Sequence, residues 1–180
     1  MKILTFDVGV KNLSFCYILS DPFTILEWNT ISLIDKEQAV NKVSIGDLTT
    51  ATLLALENCF DEQSEIDIVL IENQPSSLNG LMKSISMVIF TFFKLLSLHG
   101  GSVKEVKFIS ATNKLKVKKN LCPKEKLGYN QRKKKSIELA SMYLEQLAPN
   151  KLEWFFKLKK TDDYSDTLLY AIYYMETQSK

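Results

Sequence analysis

The chain has 180 residues, of which 46% are hydrophobic and 24% charged, with only 6 Gly and 4 Pro, which excludes a disordered or low-complexity chain and suits a single globular domain over 1–180. The formal net charge of +2 is small but uneven: Lys114, Lys116, Lys118, Lys119, Lys124, Lys126, Arg132, Lys133, Lys134 and Lys135 crowd one stretch, opposed there only by Glu125. Cys16, Cys59 and Cys122 show no CxxC or zinc-ligand spacing, which excludes a disulfide framework and points to free thiols in a reducing compartment.

In chain order, residues 2–8, 13–20 and 24–34 read as an antiparallel meander, with turns at Gly9-Val10-Lys11-Asn12 and Ser20-Asp21-Pro22. Residues 47–61 fit a helix with Leu48, Thr52, Leu56 and Cys59-Phe60 on one side. Residues 66–72 are a nearly continuous apolar strand, interrupted by Asp67 and closed by Glu72, as expected for a strand covered on both faces. Residues 78–98 predict a long helix that is apolar nearly all round, so it requires cover on two sides, one from the sheet and one from a second copy of the chain or another helix of the same chain. Its most apolar part, 85–93 between Lys83 and Lys94, is shorter than the roughly 20 residues of a bilayer span. Lys2 meets Asp7 too early for a secretory signal, so a soluble intracellular protein with no membrane partner is expected.

A strand over 103–110 follows, then a short helix over 111–119, a loop over 120–130 holding Pro123 and Gly128, a helix over 132–147 ended by Pro149, and a last helix over 163–177. Strands first, then alternating helices and strands, predict an α/β fold with a mixed sheet.

Four acids sit where packing alone does not call for them. Asp7 ends the run Ile3-Leu4-Thr5-Phe6, Glu72 ends the strand 66–72, and Asp163 and Asp166 lie on one face at the start of the last helix. Carboxylates drawn together from separate segments suit hard divalent cations. Two such ions roughly 3.5–4 Å apart activate water and neutralise a leaving oxygen in phosphodiester cleavage. Singly, Asp7 also reads as a turn acid, and Asp163 and Asp166 as helix N-terminal acids favoured by the macrodipole.

The ordered motifs add a resemblance. Asp7-Val8-Gly9-Val10-Lys11-Asn12-Leu13-Ser14, Ile71-Glu72-Asn73-Gln74 and Asp163-Tyr164-Ser165-Asp166 resemble the D-x-G-x-K-N-L-[AS], I-E-x-Q and D-x-x-D motifs of Holliday junction resolvases, the RuvC-like members of the ribonuclease H-like superfamily, and look most like the poxvirus type. The resemblance implies a ribonuclease H-like fold with a mixed five-stranded sheet flanked by helices. It also implies a homodimer that cuts branched, four-way DNA with two Mg2+ ions, Mn2+ substituting, and leaves 5′-phosphate and 3′-hydroxyl ends. Asp7, Glu72, Asp163 and Asp166 become the metal ligands and catalytic acids, and a poxvirus-type enzyme would work in the host cytoplasm. Asp162 is an adjacent acid at helical spacing from Asp166. Family members resemble this chain in a lysine after the strand that follows the long helix; here Lys114 fills that role, with Lys116 as the alternative. The rival readings are an RNA-processing YqgF-type nuclease and a non-catalytic nucleic-acid-binding module of the same fold.

Lys116, Lys118, Lys119, Arg132, Lys133, Lys134 and Lys135 are expected to contact phosphates, giving salt-dependent affinity rather than base specificity; the alternative is a solvated helix face. Gly9 would let a phosphate approach the backbone. Tyr129 and Tyr164 either stack on bases at a branch point or pack, and Trp28 and Trp154 read as core or edge residues. Gln74, Asn79 and Lys83 are candidates for backbone contact with DNA. His99 reads as a cation at the helix C-terminus before Gly100-Gly101.

Overall fold

The computed structural model describes residues 1–35, 37–60, 64–74, 80–99, 103–121 and 126–178. Asn79, Gly100-Gly101, Cys122, Pro123, Lys124 and Glu125 lie outside these. Strands β1 (Lys2–Asp7), β2 (Leu13–Ser20) and β3 (Phe23–Ile31) form the expected antiparallel meander. Strand β4 (Ile66–Glu72) pairs parallel with β1, and β5 (Val103–Ile109) pairs parallel with β4. The sheet order is β3-β2-β1-β4-β5, so the first strand is central.

Period-two alternation sends the side chains of β1 and β4 into two cores. Leu4, Phe6, Val69 and Ile71 point to the layer of α1 (Ile45–Cys59) and α2 (Gly80–Leu98). Ile3, Ile68 and Leu70 point to the opposite layer, where α3 (Tyr129–Leu147), α4 (Leu152–Phe156) and α5 (Thr161–Gln178) pack. Asp67, the interruption in β4, is satisfied at the sheet's end, where it accepts from the Lys2 backbone N–H at 2.7 Å and pairs with Lys104.

Helix α2 buries Ile85, Ser86, Ile89 and Phe93, at helical spacing, and packs on β4, β5 and α1. Its second cover is therefore partly α1 of the same chain, while Met87, Leu95 and Leu98 stay exposed. At 19 residues the whole helix is long and apolar enough to cross a membrane, which the shorter stretch 85–93 did not indicate.

Three local expectations are corrected. The helix over 111–119 is only a 3-10 turn at Asn113–Leu115, because the Ser110 and Thr112 hydroxyls (3.0 Å apart) and the bond from Asn113 N–H to the Ser110 carbonyl close a turn instead. Helix α3 starts at Tyr129 rather than at 132, because the Gln131 side chain reaches back to accept from the Gly128 N–H at 2.7 Å. Past Pro149 the chain forms a 3-10 turn and the short α4, which inserts the fully buried Phe155 against Trp28. Gly9 has a local reason: a Cβ there would lie 2.8 Å from the Asn12 carbonyl oxygen, so only glycine closes the turn after β1 without displacing backbone.

Candidate active site

Phe6 stands level with Ile71 in the parallel β1–β4 pair, so the next residues, Asp7 and Glu72, end adjacent strands side by side. Alternation also fixes their face. The Thr5 hydroxyl donates to the Thr167 carbonyl on α5 at 2.8 Å, and Asp7 follows Thr5 by two; Glu72 follows Leu70 of the α5-side core by two. Asp166 immediately precedes Thr167, which is anchored again by the Trp28 indole N–H at 3.1 Å. Lys114 arrives from the 3-10 turn after β5. Four segments thus bring Asp7, Glu72, Asp166 and Lys114 to the carboxyl ends of the parallel strands, where open α/β sheets place their sites.

Burial, a hydrogen bond with Glu72, and the charges of Glu72 and Asp166 hold the Asp7 carboxyl well above the usual carboxylate range. Burial also raises Asp166, against the pull of Lys114 and a bond from Ser136. For Lys114, burial favours the neutral amine, but Asp166, Asp7 and Glu72 together outweigh it and keep the ammonium protonated. The Lys114–Asp166 pair is largely shielded, with side chains 18% and 14% exposed.

Asp163 lies at the rim of this cluster. Burial and its neighbour Asp162 push its carboxyl up to about 6, while Asp166 acts on it more weakly. Asp162 points elsewhere, into an ion pair with Lys133. Lys116 is exposed and donates to Asn113 Oδ1 at 2.9 Å, so of the two candidate lysines it is Lys114 that joins the acids.

The basic stretch is not one surface. Lys118, through its backbone N–H, contacts Glu176 near the far end of α5, ten residues or roughly 15 Å along the helix from Asp166. Lys119 binds the Met142 carbonyl at 2.8 Å and covers the Tyr143 ring. Arg132 and Lys134 are exposed on the first turns of α3, whereas Lys133 is held by Asp162 and Lys135 by Glu138 at 2.7 Å. Tyr164 is buried against Trp28 and Trp154, which makes it a packing residue rather than a base-stacking one. Tyr129 is 66% exposed beneath Lys133. Lys83 donates to Asn73 Oδ1 at 3.1 Å, close after Glu72, and His99 is exposed at the end of α2.

Two residues of the site carry no local motif. Ser136, fully buried on α3, donates to Asp166 Oδ1 at 2.5 Å. Tyr170, one turn along α5 from Asp166, buries its hydroxyl beside Glu72 without meeting hydrogen-bond geometry, and burial raises its phenol well above the ordinary value. A serine in a lysine-rich helix and a tyrosine at i+4 from an acid are the only signals sequence offers for either.

The donor set is all oxygen and carries more carboxylates than the single lysine neutralises, which suits a hard divalent cation rather than a soft one. Among the described residues no three acids, histidines or cysteines already stand as a metal cage. Asp166 Oδ2 contacts Lys114, Asp166 Oδ1 accepts from Ser136, and Asp7 is hydrogen-bonded with Glu72. Asp7, Glu72 and Asp166 are the residues that would hold the ion, with Asp163 at the rim.

A mixed five-stranded sheet in the order β3-β2-β1-β4-β5, covered by helices on both faces, is a ribonuclease H-like fold. Solved structures bear this out. The chain matches Fowlpox virus resolvase in complex with substrate Holliday junction DNA with a TM-score of 0.69 at 17% identity, covering 100% of both chains. It matches the yeast mitochondrial Holliday junction resolvase with a TM-score of 0.61 at 16% identity, over 98% of this chain and 80% of that one. The Poxvirus A22 protein family matches residues 1–178, and the chain belongs to that family. An uncharacterized protein of Acanthamoeba polyphaga mimivirus is 35% identical over 121 residues, which is 62% of this chain but 29% of that protein, so the chain spans under a third of this relative's length.

Proposed function

We propose that this protein is a metal-dependent, structure-selective endonuclease that resolves four-way DNA junctions by paired phosphodiester hydrolysis, acting as a homodimer with one site per cut strand. The observation that carries the reading is the convergence of Asp7, Glu72, Asp166 and Lys114 at one end of the sheet. Membership of the Poxvirus A22 protein family and the fold shared with resolvases support it.

Burying three carboxylates together opposes stability unless they are neutralised, so a structural role is a poor account of them. Two Mg2+ ions, or Mn2+ in their place, would supply an activated water and neutralise the leaving oxygen. The chain's own residues supply the rest. Lys114 keeps its proton under the influence of the three acids and offers a fixed positive charge to the phosphate in the transition state. Asp7 and Glu72 present oxygens from the carboxyl ends of two interior strands, which limits how far either can drift during reaction. Arg132 and Lys134, on the exposed first turns of α3, grip phosphates of the arm that enters the site.

The exposed Met87, Leu95 and Leu98 on α2 supply an apolar stripe for the second copy, and a twofold protein suits a twofold junction. The complete acid set argues against a non-catalytic module, and the Ile71-Glu72-x-Gln74 strand end favours DNA resolution over the YqgF-type RNA reading. Incubation with a synthetic four-way junction, linear duplex and RNA, with and without magnesium, tests the assignment. Symmetric cuts in the junction alone, with magnesium, are expected. Cleavage of RNA in preference to the junction, or of neither, would overturn it.

A further inference from the structure

Helices α3 and α5 run parallel and are joined by three polar rungs. Lys133 pairs with Asp162, Ser136 donates to Asp166 Oδ1 at 2.5 Å, and the Tyr143 hydroxyl donates to Glu176 at 2.6 Å. The middle rung is unlike the other buried helical serines. Ser86 satisfies its hydroxyl on the Lys83 carbonyl at 2.7 Å and Ser165 on the Thr161 carbonyl at 2.6 Å, each within its own helix. Ser136, equally buried, instead reaches across to a carboxylate of the site.

We propose that Ser136 is a positioning residue of the nuclease site: its hydroxyl fixes one oxygen of Asp166, so that the other is presented to Lys114, and to a divalent cation when one is bound. This rests on the nuclease reading above. A carboxylate with both oxygens free rotates about its terminal bond; with Oδ1 tethered, Oδ2 has one direction. Carboxylates that bind metal are themselves held by hydrogen bonds, and loss of such a partner typically weakens metal affinity 10–100-fold. The rung also ties the site to the basic turn of α3, because Ser136 lies one turn beyond Arg132 and three residues beyond Lys133. A phosphate gripped by that turn and the carboxylate of Asp166 are therefore set by the same helix.

The test compares wild type, Ser136→Ala and Ser136→Thr. Mn2+ binding by the protein without DNA is followed by the spin resonance of the free ion. Junction binding is measured in EDTA, and cleavage across a Mn2+ titration. Ser136→Ala is expected to weaken Mn2+ binding roughly tenfold or more and to move the half-saturating Mn2+ for cleavage by a similar factor, with junction affinity in EDTA unaltered. Ser136→Thr, which keeps the hydroxyl, should recover most of the Mn2+ affinity. Wild-type Mn2+ binding in Ser136→Ala would overturn the proposal and leave the nuclease reading standing. A wild-type protein that neither binds Mn2+ nor cuts junctions would overturn both. If Ser136→Ala and Ser136→Thr lose Mn2+ affinity equally while melting as wild type does, the hydroxyl is not the cause and the proposal fails.

Discussion

The Lys114 ammonium contacts Asp166 Oδ2 from a turn that lies 52 residues earlier in the chain, and the same ammonium is under the influence of Asp7 and Glu72. A shielded lysine among three acids is positioned for a role that an exposed lysine cannot perform, since its charge is not screened by water. Lys114→Ala is expected to lower single-turnover cleavage about 10²–10³-fold while junction affinity changes little. Lys116→Ala should stay near wild type. Equal losses for the two variants would remove Lys114 from the site.

Asp7 is central in the sheet and bonded to Glu72. Asp7→Asn should abolish cleavage and leave junction binding largely intact, because the proposed phosphate contacts, Arg132 and Lys134, lie on α3 away from Asp7. Cutting at near wild-type rate by this variant would end the metal assignment.

Burial and the charge of Asp162 push the Asp163 carboxyl up to about 6 in the folded chain, above the ordinary aspartate value of about 3.9. Between those values the folded state binds more protons than the unfolded state, so stability falls as pH rises through that window and stays lower above it. For a fully buried group the difference is worth about 3 kcal/mol; solvent screening at the partly exposed start of α5 reduces it to about 1 kcal/mol. In EDTA, Asp163→Asn should therefore be about 1 kcal/mol more stable than wild type at pH 7.5 and indistinguishable from it at pH 4. Urea melts at the two values check this, and a variant less stable at pH 7.5 would contradict it.

Arg132 and Lys134 are exposed and, among the described residues, form no ion pair, whereas Lys133 and Lys135 do. Each phosphate contact contributes a slope of about −0.9 in log affinity against log salt on duplex DNA. Arg132→Gln with Lys134→Gln should reduce the slope of junction binding by about 2. Lys118→Gln, whose backbone lies by the far end of α5, should leave the slope unchanged.

Met87, Leu95 and Leu98 form one exposed stripe on α2, while Phe92 is half-buried against Phe93. Leu95→Glu should shift sedimentation from dimer to monomer without a large loss of stability, whereas Phe92→Glu should also destabilise the fold. A wild-type dimer in Leu95→Glu would move the contact to another face.

Alternation and apolar runs made the sheet legible. Residues 66–72 and 13–20 match β4 and β2 end to end, because strand burial writes a pattern two residues long. The strand and helix positions of Asp7, Glu72 and Asp166 were legible from the same patterns, whereas their grouping as one ordered set, and Asp163 in place of Asp162, rested on the resemblance to resolvase motifs. Local sequence was less informative where side chains compete with the backbone: the turn after β5 replaced a helix once the Ser110 and Thr112 hydroxyls found each other. It gave no warning of α4, whose Phe155 is helical because the pocket against Trp28 rewards it.

Helical spacing put Asp163 and Asp166 on one face, but only the packing of α5 on β1, through Thr5 and Thr167, turned Asp166 toward the strand ends and left Asp163 at the rim and Asp162 with Lys133. The same packing chose Lys114 over Lys116, buried Tyr164, and brought Ser136 to Asp166. Sequence determined which residues carry charge and which faces are apolar, because those follow from neighbours a few positions away. Tertiary structure decided which charges meet, because their energies depend on distances across segments far apart in the chain and on how much water is excluded between them.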